Sequence, residues 1–172
     1  PNYKSADAPS IYTWLLTSEN FGLNFTYKQL PDNLQTCGAL SALAVDPTTP
    51  NSLYVLLENR LAHSTDQGQS WTPCINAPGL EGPFSEDAGA LQIKNSKIMF
   101  VMRKGKLPLK TVDGVGGPWK PMPSLASLSP TPFGNFKAEL SWTGKTLVVY
   151  GNDRSAISRR EFGTAVWKSS DD

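Results

Sequence analysis

Ser64-Thr65-Asp66-Gln67-Gly68-Gln69-Ser70-Trp71 is the stretch whose reading decides the fold. It has the form Ser-x-Asp-x-Gly-x-x-Trp, and each fixed position has a task in a tight turn between antiparallel strands. The Asp carboxylate accepts hydrogen bonds from nearby backbone N–H groups, and Ser does the same more weakly. Gly68 supplies a positive φ. Trp71 is expected to open the following strand as a large apolar anchor. None of these positions is an evident catalyst.

Copies of the turn recur along the chain. Upstream, residues 16–25 align without gaps, with Ser18, Asn20, Gly22 and Phe25 on the fixed positions. Downstream, Thr111, Asp113 and Trp119 form a third copy with displaced glycines and one extra residue before its Trp. Ser169 and Asp171 begin a fourth. The Ser/Thr positions are separated by 46, 47 and 58 residues. Between the copies run short apolar stretches: 40–45, 53–57, 61–63, 90–93, 97–103, 107–110, 136–142, 145–150 and 164–168. Turns at 46–51, Asn59-Arg60, Lys94-Asn95, Lys104-Gly105 and Thr143-Gly144 divide them. Four short strands per period of about 40–50 residues predict an all-β chain built as a β-propeller of four-stranded antiparallel blades. A β-sandwich also strings short strands together, but the recurring turn argues against it.

On this reading residues 1–30 carry the end of a partial blade, 37–76 and 88–122 one blade each, and 136–172 an incomplete blade. About three blade equivalents are present, whereas closed propellers need about 4–8. The chain is therefore expected to be a fragment of a larger propeller, continuous with further blades or assembled with other chains. Its start, Pro-Asn-Tyr-Lys-Ser, has neither Met nor a signal-peptide pattern, which suggests a removed leader or an internal piece.

Composition narrows the function classes. Charged residues make up 18%, and Gly and Pro number 14 each, so turns should be frequent and helices few. A net charge of +1 gives no case for nucleic acid as a partner. No apolar run approaches the roughly 18 residues of a membrane-spanning helix. Cys37 and Cys74 are the two cysteines; spacing alone leaves their pairing open. Asn24-Phe25-Thr26 is the single N-glycosylation sequon, a mild argument for a secreted, cell-surface or lumenal protein.

The repeated turn in this strand context resembles the Asp box, or bacterial neuraminidase repeat. Residues 43–55, Leu-Ala-Val-Asp-Pro-Thr-Thr-Pro-Asn-Ser-Leu-Tyr-Val, are similar to the strand–turn–strand before the box in xyloglucanase-like hydrolases and sortilin-type sorting receptors. The Phe-ended copy at 18–25 is similar to the sortilin variant. The resemblance implies a propeller in which Ser18, Asn20, Gly22, Phe25, Ser64, Asp66, Gly68, Trp71, Thr111, Asp113, Trp119, Ser169 and Asp171 are structural. It does not fix an activity, because such propellers include sialidases, other glycoside hydrolases, receptors and assembly factors. The Phe-Arg-Ile-Pro motif expected of a sialidase is absent, and no paired acids of a xyloglucanase are recognisable.

In a four-stranded meander the motif turns share one end of the sheet with the first-to-second turns. The long connections 73–89, 121–135 and 151–163 fall at the other end, where binding loops are expected. The candidate ligand-binding residues are Glu86, Asp87, Asp153, Arg154, Arg159, Arg160 and Glu161, with Glu81 nearby. The arginines suit bidentate contacts to a carboxylate or phosphate, against a plainer role as solvated charges. Glu86-Asp87 suits an acid/base pair, against a solvated turn. His63, the one histidine, adjoins Ser64 and Asp66, but neighbours along a strand do not form a triad, and strand surface is expected. Trp14, Trp142 and Trp167 fall on strands and are expected to pack between blades. The sequence thus leads to an extracellular or lumenal module that binds glycan or protein through its long loops. Part of a propeller glycoside hydrolase and a sorting-receptor ectodomain are the alternatives. No cofactor or metal is expected, and catalysis is left open.

Overall fold

The structure, a computed structural model, describes residues 13–79, 88–103, 108–122, 136–140, 147–153 and 163–169. The described residues form antiparallel sheets with one single-turn helix, an all-β arrangement. Strands β1 (Trp14–Thr17) and β2 (Thr26–Gln29) form a two-stranded sheet, and helix α1 (Asp32–Gln35) follows. A four-stranded meander contains β3 (Leu40–Val45), β4 (Leu53–Leu57), β5 (Arg60–Ser64) and β6 (Ile75–Asn76). A second contains β7 (Ala88–Ile93), β8 (Met99–Arg103), β9 (Leu109–Thr111) and β10 (Lys120–Pro121). A three-stranded sheet of β11 (Phe136–Leu140), β12 (Leu147–Asp153) and β13 (Gly163–Ser169) completes the described residues.

The first strands of successive sheets lie side by side, β3 beside β7 and β7 beside β11. Both β3 and β7 carry a register irregularity in their first half, between Leu40 and Ala42 and between Ala88 and Leu91. β4 is buried along its whole length, which explains its continuous apolar sequence. Tyr54 and Leu56, with Leu61 of β5, face Leu91, Ile93, Met99, Val101, Leu109 and Trp119 of the next sheet. Val55, Leu57 and Ala62 face the other way, toward Leu30, Leu34 and Cys37. Burying each such aliphatic side chain stabilises the fold by about 1.5–3 kcal/mol.

Several sequence expectations need correction. The β4–β5 turn is Glu58–Asn59 rather than Asn59-Arg60, because Arg60 already pairs with Leu57. Glu58 takes the left-handed conformation there, with φ of 51°. Trp71 does not open a strand. Thr72 still reaches β5, its N–H donating to the His63 carbonyl at 2.9 Å, but Pro73 has no N–H and the ladder resumes only at Ile75. Helix α1 was not foreseen; it starts after Pro31 and buries Leu34 completely.

Trp14 is half exposed and meets Tyr27 edge-on rather than packing between sheets. Trp142 and the side chain of Trp167 lie outside the described residues. Asp153 ends β12 opposite Gly163, so the strand takes in three residues, 151–153, of the expected 151–163 connection. Cys37 and Cys74 are bonded, their Cα atoms 6.4 Å apart, tying the residues just after α1 to the start of β6.

Candidate functional site

The turn at 64–71 is built around two side-chain oxygens. Ser64 Oγ donates to Asp66 Oδ1 at 2.8 Å and accepts from the N–H groups of Gly68 at 2.7 Å and Asp66 at 3.3 Å. Asp66 Oδ1 also accepts from Ser70 N–H at 2.8 Å, and Oδ2 accepts from Ser70 Oγ at 2.5 Å. Trp71 Nε1 donates to the Gly68 carbonyl at 3.2 Å, folding its indole over the turn. Gln67 and Gly68 are both left-handed, with φ of 58° and 82°. Gln67 then binds the neighbouring 46–51 turn twice, through N–H to Asn51 O at 2.9 Å and Nε2 to Asn51 Oδ1 at 2.8 Å. The motif turn and the first-to-second turn therefore share one end of this sheet.

The first copy repeats the arrangement. Ser18 Oγ donates to Asn20 Oδ1 at 3.1 Å and accepts from Gly22 N–H at 2.8 Å, and Asn20 Oδ1 accepts from Asn24 N–H at 2.9 Å. Phe21 and Gly22 have φ of 56° and 87°. In the third copy Thr111 Oγ1 accepts from Asp113 N–H at 3.3 Å. Its left-handed residue is Gly114, with φ of 79°, at the position of Gln67 and Phe21. That accounts for the displaced glycine. Gly114 N–H donates to Lys97 O at 2.9 Å, again joining the motif turn to the first-to-second turn of its sheet. Trp119 is buried, and its backbone N–H donates to the Pro78 carbonyl at 2.8 Å. Ser169 ends β13, and Asp171 lies outside the described residues.

This wiring leaves little chemistry free. The Ser64 hydroxyl has spent its proton on Asp66 and its lone pairs on backbone, so it is no nucleophile. Ser70, through its hydroxyl and then its N–H, together with Ser64 holds the Asp66 carboxyl down to about 2. Asp66 is thus an ionised acceptor at any ordinary pH and has no proton to give as a general acid.

His63 departs from expectation. The register sets it opposite Tyr54, on the face that carries Leu56 and Leu61. It is half-buried and stacked on Tyr54 rather than standing on the strand surface. Burial lowers the His63 pKa, while the charge of Asp46 pulls it back up. Burial and then Asp46 raise that of Tyr54. Asp46 is fully buried; its Oδ1 accepts from Thr48 N–H at 2.8 Å and Thr48 Oγ1 at 2.6 Å. Asp46 Oδ2, His63 Nε2 and Trp119 Nε1 are buried without a hydrogen-bond partner among the described residues. Ser64, the next residue along β5, turns to the opposite face, so no Ser-His-Asp triad forms.

No group of three His, Cys, Asp or Glu side chains among the described residues is placed to hold a metal ion. No described helix is long and apolar enough to cross a membrane. Of the residues assigned to ligand binding, Glu81, Glu86, Asp87, Arg154, Arg159, Arg160 and Glu161 lie outside the described residues, and Asp153 is described only as the last position of β12. Asn24 is exposed.

Sequence reasoning missed Ser70, the strongest partner of Asp66, because Ser at that position looked like a spacer. It placed the 46–51 turn but missed that the Asp46 carboxylate closes it, accepting from Thr48. The Asp-x-Thr spacing there was a usable signal, since a side chain accepting from the N–H two residues on is the usual form of such turns.

No family model matches this chain, and no curated protein does. Among solved structures, an ancestral GH74 enzyme superposes with a TM-score of 0.48 at 15% identity, over 84% of this chain and 20% of that one. The GH74 enzyme of Niastella koreensis gives a TM-score of 0.48 at 20% identity, over 84% of this chain and 24% of that one. The chain spans a fifth to a quarter of the length of those enzymes.

Proposed function

We propose that this chain is a segment of a glycoside-hydrolase-like β-propeller directed at carbohydrate. Its Ser-x-Asp turns, which resemble the Asp box, are scaffold, and its ligand-facing surface is the opposite end of the sheets. The observation that carries this reading is the recurrence of the Ser/Thr-x-Asp turn, each copy bonded to the first-to-second turn of its own sheet, at the same end of two successive antiparallel sheets whose first strands, β3 and β7, run side by side. Radial repetition of such sheets is the propeller plan. The saturated hydrogen bonding of Ser64 and Asp66 removes the motif end as a place for chemistry. In this reading the charged residues Glu86, Asp87, Arg154, Arg159 and Arg160, which lie outside the described residues, are assigned to the connections expected at the other end.

The test is a glycan array together with a panel of glycosidase substrates, run on the full-length protein. Carbohydrate binding or turnover should fall with Arg159→Ala, Arg160→Ala or Glu86→Gln and be indifferent to Thr65→Ala on the motif turn. The reverse pattern, or no carbohydrate response at all, would sink the proposal.

A further inference from the structure

The first and second motif turns share a backbone but differ in what they point outward. In the second, Gln67 bonds Asn51 and the Ser70 hydroxyl bonds Asp66. The matching positions in the first are Phe21 and Asn24. Phe21 is fully exposed, at 107% of its reference area, while Phe25 folds its ring over Gly22. Asn24 is exposed, its N–H is tied to Asn20 Oδ1, and its side-chain amide makes no hydrogen bond among the described residues. Leu23 N–H donates to Asn20 O at 3.3 Å, closing a turn that holds Phe21 and Asn24 on either side of Gly22-Leu23.

We propose that Asn24 is an N-glycosylation site and that Phe21 is the platform on which the first sugar rests. Asn24-Phe25-Thr26 meets the acceptor rule, and the Cys37–Cys74 bond matches the oxidising compartment in which the transfer takes place. In the reaction the Asn24 amide nitrogen attacks C1 of the first N-acetylglucosamine of a lipid-pyrophosphate oligosaccharide. The C1–N bond forms, the C1–O bond to phosphate breaks, the lipid pyrophosphate leaves, and the amide proton passes to a carboxylate of the transferase. Once the turn has folded, the sugar on residue 24 lies three residues from a bare aromatic ring. The C–H face of a pyranose is apolar and slightly positive, and it stacks on the negative face of an arene. The sugar thereby covers a ring that otherwise stands in water. The inference rests on the turn and the disulfide, and is independent of the carbohydrate-directed function proposed above.

The experiment is secretion of the chain from a eukaryotic cell, peptide mapping before and after peptide N-glycosidase treatment, and thermal unfolding of each form. Asn24 should carry N-acetylglucosamine, and Asn24→Gln should abolish it. Removing the glycan should lower the unfolding midpoint of the parent and leave that of Phe21→Ala unchanged. A folded, secreted chain with Asn24 unmodified would overturn the site. A glycan effect of equal size with and without Phe21 would overturn the platform and point to polypeptide as the cover for that ring.

Discussion

His63 lies flat on Tyr54, with ring centroids 4.3 Å apart and planes inclined by 14°. The two face each other across β4 and β5, in the interface with the following sheet. Burial lowers the histidine's pKa below its ordinary 6.5, so the folded chain binds fewer protons than the unfolded one. The sign follows: stability is fully present above the ordinary value and falls as pH drops below it. Unfolding midpoints measured from about pH 7.5 to 5.5 should decline in the parent. His63→Phe keeps a stacked ring, and its profile should be flatter over the same range.

Asp66 titrates on the acid side. Its carboxyl is held at about 2 against an ordinary 3.8, so the stability it confers is present above 3.8 and lost as pH falls toward 2. Asn20 does the same work in the first turn, its Oδ1 accepting from Ser18 Oγ and Asn24 N–H. Asp66→Asn should therefore retain more of the parent's stability than Asp66→Ala and remove the acid step. A denaturation series of the three proteins at neutral and acidic pH checks both points.

Two glycines give an internal control. Gly68 has φ of 82°, and a Cβ there would stand 2.5 Å from Leu15 Cδ2. Gly68→Ala should cost about 1–3 kcal/mol from backbone strain alone. A Cβ on Gly116 meets nothing within 4 Å, and Gly116→Ala should be close to neutral. Urea titration of the pair reads the difference.

The disulfide closes a sequence separation of 37 residues. Loop closure over that length stabilises the fold by about 3–4 kcal/mol. Reduction, or the double replacement of Cys37 and Cys74 by Ala, should lower the denaturation midpoint accordingly. The parent without reductant should keep the higher midpoint.

The strands were legible where burial is two-sided. Leu53–Leu57 is an apolar run because both its faces are covered, and its bounds could be read directly. Turns were legible where a side chain closes them, as at Ser64 and Asp66. They were misjudged where the backbone alone decides, as at Glu58, a left-handed residue with no compositional mark. His63 was misplaced for want of parity. A strand has two faces, and only the register opposite Tyr54 shows that this one is inward. The ligand-binding assignments rest on connections that local chemistry specifies least, with no side-chain closure or apolar alternation to fix them.

The bridge between Cys37 and Cys74 also sets how the chain carries load. β3, β4, β5 and the 64–71 turn all lie between the two bonded cysteines. Tension applied through the two chain ends crosses from sulfur to sulfur and bypasses that ring. While the bond is oxidised, those three strands are mechanically silent, and pulling can strip away only what lies outside them. Reduction would add the hidden length back to the extensible chain.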